Sequence, residues 1–396
     1  MRKIAPFLLG LFYVLPVLAD SGDVLNFVLG TNYEHDSNLF RLADGVQPAG
    51  KGAERSDNVL KTNVGIKIDK KYSLQRFKID YAHEEVKYDN AKFLEFKSNN
   101  YKATWLWAIT PSMRGNLAAS RTVDLVPYLD FKNSNIQNLR TKEIQNFDFD
   151  WSPHNVWHLL GGYSKINVLN SQTFLPETSF KLDIAEAGVR YTADSGSFVT
   201  LKLRNRNGEN QATNFAAFVG KQFTEREEEL SVFWILTGKS RLSSNFGHVK
   251  RIDEDFAIRD FSDYFGGVNY AWDVTSKINL TIDLSRKVSA YLDNNSSFTV
   301  NDSLSIRPTW TITPKILLSA NALVGKRKFQ GNGPNIGLTN DPLSSDAYSI
   351  YGVSAAWVPR NAIRIGLNLQ HEDRNSNVIS RDYSTDVASI SGQLTF

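Results

Sequence analysis

Residues 389–396 read SISGQLTF, and they end the chain on a two-residue period. Ile390, Gly392, Leu394 and Phe396 share one parity, while Ser389, Ser391, Gln393 and Thr395 share the other. Such alternation puts apolar side chains on one face of a strand and polar ones on the opposite face. By itself the stretch also fits an edge strand of a soluble sheet. The rest of the chain decides between the two.

The pattern recurs upstream. In AIRIGLNLQ, Ile363, Ile365, Leu367 and Leu369 alternate with Arg364, Gly366, Asn368 and Gln370. In KINLTIDLS, Ile278, Leu280, Ile282 and Leu284 alternate with Lys277, Asn279, Thr281 and Asp283. In SFVTLKLRNR, Val199, Leu201 and Leu203 alternate with Thr200, Lys202, Arg204 and Arg206. A helix would spread these apolar positions around its surface, whereas a strand gathers them on one side. Short breaks separate the alternating runs: AITPSM, DWSPHN, TADSGS, WDVTSK, TITPKI and WVPRNA, with IDKKYS and FTEREE read the same way. Pro, Gly, Asp and Ser there favour tight turns. Longer polar connections alternate with them, at 36–57, 242–259 and 329–346.

These signals predict eighteen strands, with sixteen as the alternative count, at 24–35, 58–69, 72–84, 97–109, 112–123, 138–151, 155–167, 181–192, 196–206, 211–223, 228–241, 259–273, 276–288, 300–311, 315–328, 347–358, 361–373 and 384–396. Runs 155–167 and 228–241 alternate imperfectly. An even count, short turns on one side and long loops on the other predict an all-β, antiparallel, up-and-down transmembrane barrel. Trp105, Trp107, Trp151, Trp157, Trp272, Trp310 and Trp357 lie near the short turns, as a membrane-interface girdle requires. A soluble sandwich would explain buried aromatics, but not sustained alternation together with alternating connection lengths. The terminal alternation ending on Phe396 resembles the C-terminal signal of bacterial outer-membrane proteins. The resemblance implies that Ile390, Gly392, Leu394 and Phe396 are read by the barrel-insertion machinery.

At the other end, MRKIAPFLLGLFYVLPVLA pairs Arg2 and Lys3 with an apolar run and ends on Ala19. It reads as a signal peptide over 1–19, leaving 20–396 as one barrel. A membrane anchor is the alternative, but the run is short and holds Pro6 and Pro16. The chain has no cysteine, so disulfides and cysteine lipidation are excluded. Its net charge of +3 falls to +1 when Arg2 and Lys3 leave with the signal peptide, which gives no reason to expect nucleic acid.

On the parity opposite the apolar one, Lys67, Asp69, Arg190, Lys202, Arg204, Arg206, Asp283, Arg364 and Gln370 are candidate lumen residues. A Lys or Arg facing lipid at mid-bilayer would cost about 2–4 kcal/mol, so they should face water. Solvation of a wide barrel is the plain role for each, and solute contact the sharper one. GKRKF reads as a solvated strand end that could meet acidic headgroups of the outer-membrane lipid and lipopolysaccharide. His154 and His158 have a metal-ligand spacing but straddle a hairpin, and DNNSS and DRNSNV lack an ordered calcium-loop pattern. HExxH, phosphate-loop and GxSxG motifs are absent. Neither an enzyme, a metal nor a cofactor is indicated.

Residues 33–42, YEHDSNLFRL, resemble the start of the EpsL-like exopolysaccharide-associated outer-membrane proteins, within the broader putative beta-barrel porin class. The resemblance implies a bacterial outer-membrane channel or channel-like component tied to exopolysaccharide export or biosynthesis, with the polymer and its export proteins as partners. Asp36, Asn38, Phe40 and Arg41 are candidate entrance residues. Local turn packing is the alternative: Asp36 and Asn38 would cap backbone groups while Leu39 and Phe40 shield the rim. A diffusion porin for small solutes and an occluded adaptor or surface receptor, plugged by loop 36–57 or 242–258, are the competing functions. Oligomeric state is left open.

Overall fold

The computed structural model describes residues 24–49, 54–130, 136–172, 179–211, 220–291, 295–333 and 343–396, so the expected signal peptide lies outside the described residues. Eighteen antiparallel strands follow in order: β1 (Leu25–Asp36), β2 (Asp57–Tyr72), β3 (Gln75–Tyr88), β4 (Phe96–Thr110), β5 (Met113–Leu125), β6 (Leu139–His154), β7 (Trp157–Asn170), β8 (Phe180–Thr192), β9 (Phe198–Asn210), β10 (Gln222–Thr237), β11 (Ser240–Asp253), β12 (Phe261–Asp273), β13 (Ile278–Ala290), β14 (Phe298–Thr313), β15 (Ile316–Gln330), β16 (Ser345–Arg360), β17 (Ile363–Ser376) and β18 (Tyr383–Thr395). Each strand pairs with its sequence neighbours, and β1 pairs with β18, which closes the ring. Closure leaves no strand edge with unpaired backbone groups facing hydrocarbon.

The closing seam runs from Val28 opposite Thr395 to Asp36 opposite Val387. Beyond it, Phe27 and Phe396 exchange backbone hydrogen bonds of 2.6 and 2.9 Å, and their rings stack with centroids 5.9 Å apart. Ile390, Gly392 and Leu394 face outward beside Tyr33, Thr31 and Leu29. The final residue is therefore part of the seam.

Outward positions are apolar through the middle of the wall. Leu201, Leu230 and Phe246 lie in one cross-strand row, and Leu369 and Val353 pair in another, all exposed. This exposed belt inverts the burial pattern of a soluble protein and needs lipid as its solvent. All eight tryptophans take outward positions in strand halves next to short turns. Seven are exposed, and Trp107 lies flat over Gly115, where an added Cβ would come within 2.6 Å of its ring. An alanine at 115 would push against that ring and, closer still, against the backbone oxygen of Asp148 on β6.

One part of the predicted strand map is wrong. The sequence pattern predicts a strand at 211–223, of which 212–219 lie outside the described residues, and a turn at FTEREE, yet β10 begins at Gln222 and runs through that turn segment. Residues 242–258, expected as a long loop and a possible plug, contain most of β11. The short turn is instead at Gly238 and Lys239. Among the described residues the count is still eighteen, with β10 and β11 occupying 222–253.

Candidate functional site

The strand registers place all nine candidate lumen residues on the inward parity. Lys67 lies opposite Asn26 and Asp80, and Asp69 receives two hydrogen bonds from Arg76 at 2.7 and 2.8 Å. Arg364 lies opposite Gln393 near the short-turn end, and Gln370 Nε2 donates to Glu372 at 2.7 Å.

From β6 to β11 the inner wall is a ladder of opposite charges. Asp150 accepts from Arg190 at 3.3 Å and contacts His158 Nδ1 at 2.6 Å. Glu186 accepts from Lys202 at 3.1 Å and from Arg204 at 3.0 Å. Arg204 also pairs with Glu227 and, at 3.5 Å, with Glu229. Arg206 reaches Glu227 at 2.6 Å and Glu225 at 3.4 Å, and Glu225 continues to Arg251 at 2.9 Å. The sequence pattern misses the acidic half of the ladder: Glu225 and Glu227 lie in FTEREE, which reads as a turn, and Glu229 lies at the start of the run 228–241, which alternates imperfectly. The candidate set therefore has cations there without their partners. Paired this way, the charges of Arg190, Lys202, Arg204, Arg206 and Arg251 are largely offset, since each lies within 3.4 Å of a carboxylate one or two strands away.

From β13 to β18 the inner wall carries a band of small neutral residues with charged ones among them. Ser285, Ser303, Ser305, Ser319, Asn321, Ser354, Asn368, Ser389 and Ser391 all take inward positions. Asp283 lies among them, bound to Arg307 and to Asn269 Nδ2 at 2.5 Å.

The mouth is furnished by loops L1 (37–56), L2 (89–95) and L3 (126–138). L1 turns inward at once. Asp36 Oδ1 accepts from Asn38 N at 2.9 Å and from Thr385 Oγ1 at 2.7 Å. Asn38 Oδ1 accepts from Leu42 N at 2.9 Å, while its Nδ2 donates to Leu42 O at 2.8 Å and Ser384 O at 3.0 Å. Arg41 adopts a left-handed φ of 52°, a conformation costly for a side chain with a Cβ. Its guanidinium is held by Asp36 at 2.7 Å and Glu372 at 3.4 Å. Burial works against that charge, but the two carboxylates outweigh it and raise the Arg41 pKa. Phe40 then enters a small apolar core with Leu42, Val59, Val86, Leu94 and Tyr128. So the four candidate entrance residues are brought together as a rim turn, with the capping geometry of the turn-packing alternative. Asn38→Ala should cost about 1–3 kcal/mol by stranding buried backbone groups, read as a lower unfolding temperature of the detergent-folded barrel.

The described first part of L3, residues 126–130, reaches across the barrel. Asp130 accepts from Arg327, Arg374 and Arg381 at 2.5, 3.1 and 2.8 Å. Asp346 joins the same group, 2.6 Å from Arg374 and 3.1 Å from Arg327. L3 leaves β5, whereas these partners belong to β15, β16, β17 and the turn before β18, at least five strands around the ring. Only a segment passing over the lumen can reach them. Burial raises the Asp130 pKa, but the three guanidiniums more than reverse this and hold it below the ordinary carboxylate range. No sequence signal points to this latch, although LVPYLD at 125–130 is unusually apolar for a surface loop.

An apolar groove of about 350 Å³ between Trp310, Ala320, Ala355 and Leu367 opens on the lipid face, so it has no access to the lumen. Among the described residues no group of three or more His, Asp or Glu side chains is arranged to hold a metal.

Known proteins with related sequence or shape fit this geometry. No curated protein sequence matches the chain. Three solved Pseudomonas aeruginosa structures are similar in shape across 94% of this chain. OpdK with vanillate has a TM-score of 0.53 at 9% identity and is covered over 99% of its length. OccK9 (OpdG) has a TM-score of 0.52 at 12% identity, and OccK2 (OpdF) in complex with glucuronate 0.51 at 11%, each covered over 98%. At such identities the likeness is one of fold. The family described as putative beta-barrel porin 2 matches residues 237–395, from the end of β10 through β18. With its lipid-facing belt, its tryptophan girdle and its closed ring of eighteen strands, the chain is a porin-like β-barrel of the outer membrane.

Proposed function

We propose that this barrel is a diffusion channel for small polar solutes, its mouth narrowed by L1 and L3. The observation that carries the reading is the continuous polar inner face, from Arg364 and Gln393 near the short turns to Asp346 and Arg374 at the mouth. Eighteen strands enclose an interior wide enough for water, and polar groups solvate that water column. Residues 20–396 form the channel and residues 1–19 direct secretion.

The test is ion conductance of the purified barrel in planar bilayers. Stepwise insertion of ohmic conductance is expected, and a folded barrel that carries no current would move the reading to an occluded adaptor or receptor. Charge selectivity gives a second result. Neutralising Lys202, Arg204 and Arg364 together should shift preference toward cations, because Glu186, Glu227 and Glu229 then lose their partners. Unchanged selectivity in a folded variant would put this ladder outside the conducting path.

A finer role in exopolysaccharide export or biosynthesis is supported by the YEHDSNLFRL resemblance and by the hydroxyl- and amide-rich wall of β13–β18, whose groups suit sugar hydroxyls. Retention of polymer in the periplasm of deletion cells would favour it. Normal polymer secretion with impaired solute uptake would favour the diffusion channel alone.

A further inference from the structure

The lumen wall is interrupted by a niche of about 520 Å³ on β9–β15. Its floor is a cross-strand row of small residues: Ser231 opposite Asn245, Asn245 opposite Gly267, Gly267 opposite Ser285, and Ser285 opposite Ser303. The depression exists because five successive strands place small residues at one level. At Gly267 even a methyl group would come within 3.3 Å of Asn245 Oδ1 and 3.1 Å of Leu284 O. The stacked rings of Phe198 and Phe233, 5.1 Å apart, border one end, and Arg307 borders the other.

The charge in this niche is unbalanced. Asp283 and Arg307 pair with each other. Lys287 has no acidic partner among the described residues and is exposed within the lumen. That contrasts with the ladder across β6–β11, where Lys202, Arg204 and Arg206 all have carboxylates on a neighbouring strand. One ammonium therefore stands uncompensated above a floor of hydroxyls and an amide. The cavity has the volume of a small-ligand site. The mouth adds to the same bias, since the L3 latch combines Arg327, Arg374 and Arg381 with only Asp130 and Asp346.

We propose that this niche is a binding subsite for small hydroxylated carboxylates on their way through the lumen. The carboxylate pairs with Lys287, the hydroxyls exchange hydrogen bonds with Ser285, Ser303 and Asn245, and the carbon chain lies toward the Phe233 ring. A solute lacking the charge leaves the ammonium unpaired, and one lacking hydroxyls leaves the serine row to water. Both parts are needed for selective retention, because a single charge in a water-filled passage is well screened. The subsite rests on the diffusion-channel reading for its purpose, but its binding can be measured without current.

Gluconate is the probe, with glucitol as the uncharged control and propionate as the control without hydroxyls. Calorimetric titration of the barrel folded in uncharged detergent should give saturable gluconate binding, with glucitol and propionate each weaker by about tenfold or more. Lys287→Ala should weaken gluconate binding by about tenfold, Lys287→Arg should largely retain it, and Ser285→Val should remove the advantage of gluconate over propionate. Absence of saturable gluconate binding to the folded protein, or an affinity unchanged in Lys287→Ala, would overturn the proposal. Potassium chloride conductance, measured separately, tells the two readings apart. A barrel that binds gluconate but carries no current keeps the subsite and loses the channel, and one that conducts without binding does the reverse.

Discussion

A chain ending at Asp382 yields no heat-resistant folded barrel, in lipid or in detergent. Removing β18 strips partners from two strands at once. β1 loses the seam from Val28 to Asp36, and β17 loses its pairing from Ile363 to Arg374. In hydrocarbon each stranded backbone group costs several kcal/mol, so even a few exceed the net stability of about 5–15 kcal/mol typical of a folded domain. Direct pairing of β17 with β1 would not repair the loss, because seventeen strands would put the two edges in parallel rather than antiparallel orientation. Deleting Phe396 alone should be milder. It removes two backbone hydrogen bonds and the stack on Phe27. If Ile390, Gly392, Leu394 and Phe396 also form the assembly signal, this small deletion should lower outer-membrane yield in cells more than it lowers refolding in detergent. Electrophoretic mobility with and without heating reads both effects. A truncated chain that still migrates as a compact barrel would refute the need for this seam.

The barrel is legible in the sequence because the bilayer imposes its own period. Where both faces of a strand meet contrasting solvents, as in Ile363–Leu369 against Arg364–Gln370, alternation is forced and the parity is readable. The strand map fails between 211 and 258 for the same reason. In β10, Thr224, Arg226 and Glu228 point outward alongside inward Glu225, Glu227 and Glu229. This half of the strand has charge on both faces, so the alternation disappears and the segment reads as a turn. In β11 the outward row mixes Leu242, Ser244, Phe246, His248 and Lys250, which blurs the contrast again.

The candidate site is less readable, since its organisation depends on contacts between distant positions. Parity finds the cations of β9, but their neutralisation requires the correct register of β10. Asp36, Asn38, Phe40 and Arg41 stand out as a local motif, and in the structure they act locally, by building the rim turn. The L3 latch joins Asp130 to residues 197, 244 and 251 positions away. No periodicity encodes such a contact. It follows from closure, which brings the β15–β17 wall across from the loop that leaves β5.

That latch should be the mouth's principal restraint, and Asp130→Ala should release it. The substitution leaves Arg327, Arg374 and Arg381 clustered around Asp346 alone, so three guanidiniums share one carboxylate. Removing one partner of a buried charge cluster costs about 3–5 kcal/mol, which corresponds to a shift of about a hundredfold or more in the ratio of docked to released L3. Single-channel conductance should rise and the passage of larger neutral sugars should accelerate, with the seam and the wall untouched. Asp130→Asn should behave similarly, because it keeps the shape and loses the charge. Acid offers the same test without mutation. The Asp130 pKa is depressed in the folded protein, so its contribution is present above the ordinary carboxylate pKa of about 3.9 and is lost as pH falls through the lower folded value. Wild-type conductance attributable to L3 should therefore stay flat from about pH 8 to 5 and rise only below about pH 4. Asp130→Ala should already conduct at the raised level at neutral pH and lack that acid step. Equal conductance and equal sugar passage in wild type and Asp130→Ala, in a barrel that remains folded, would mean that L3 lies across the mouth without narrowing it.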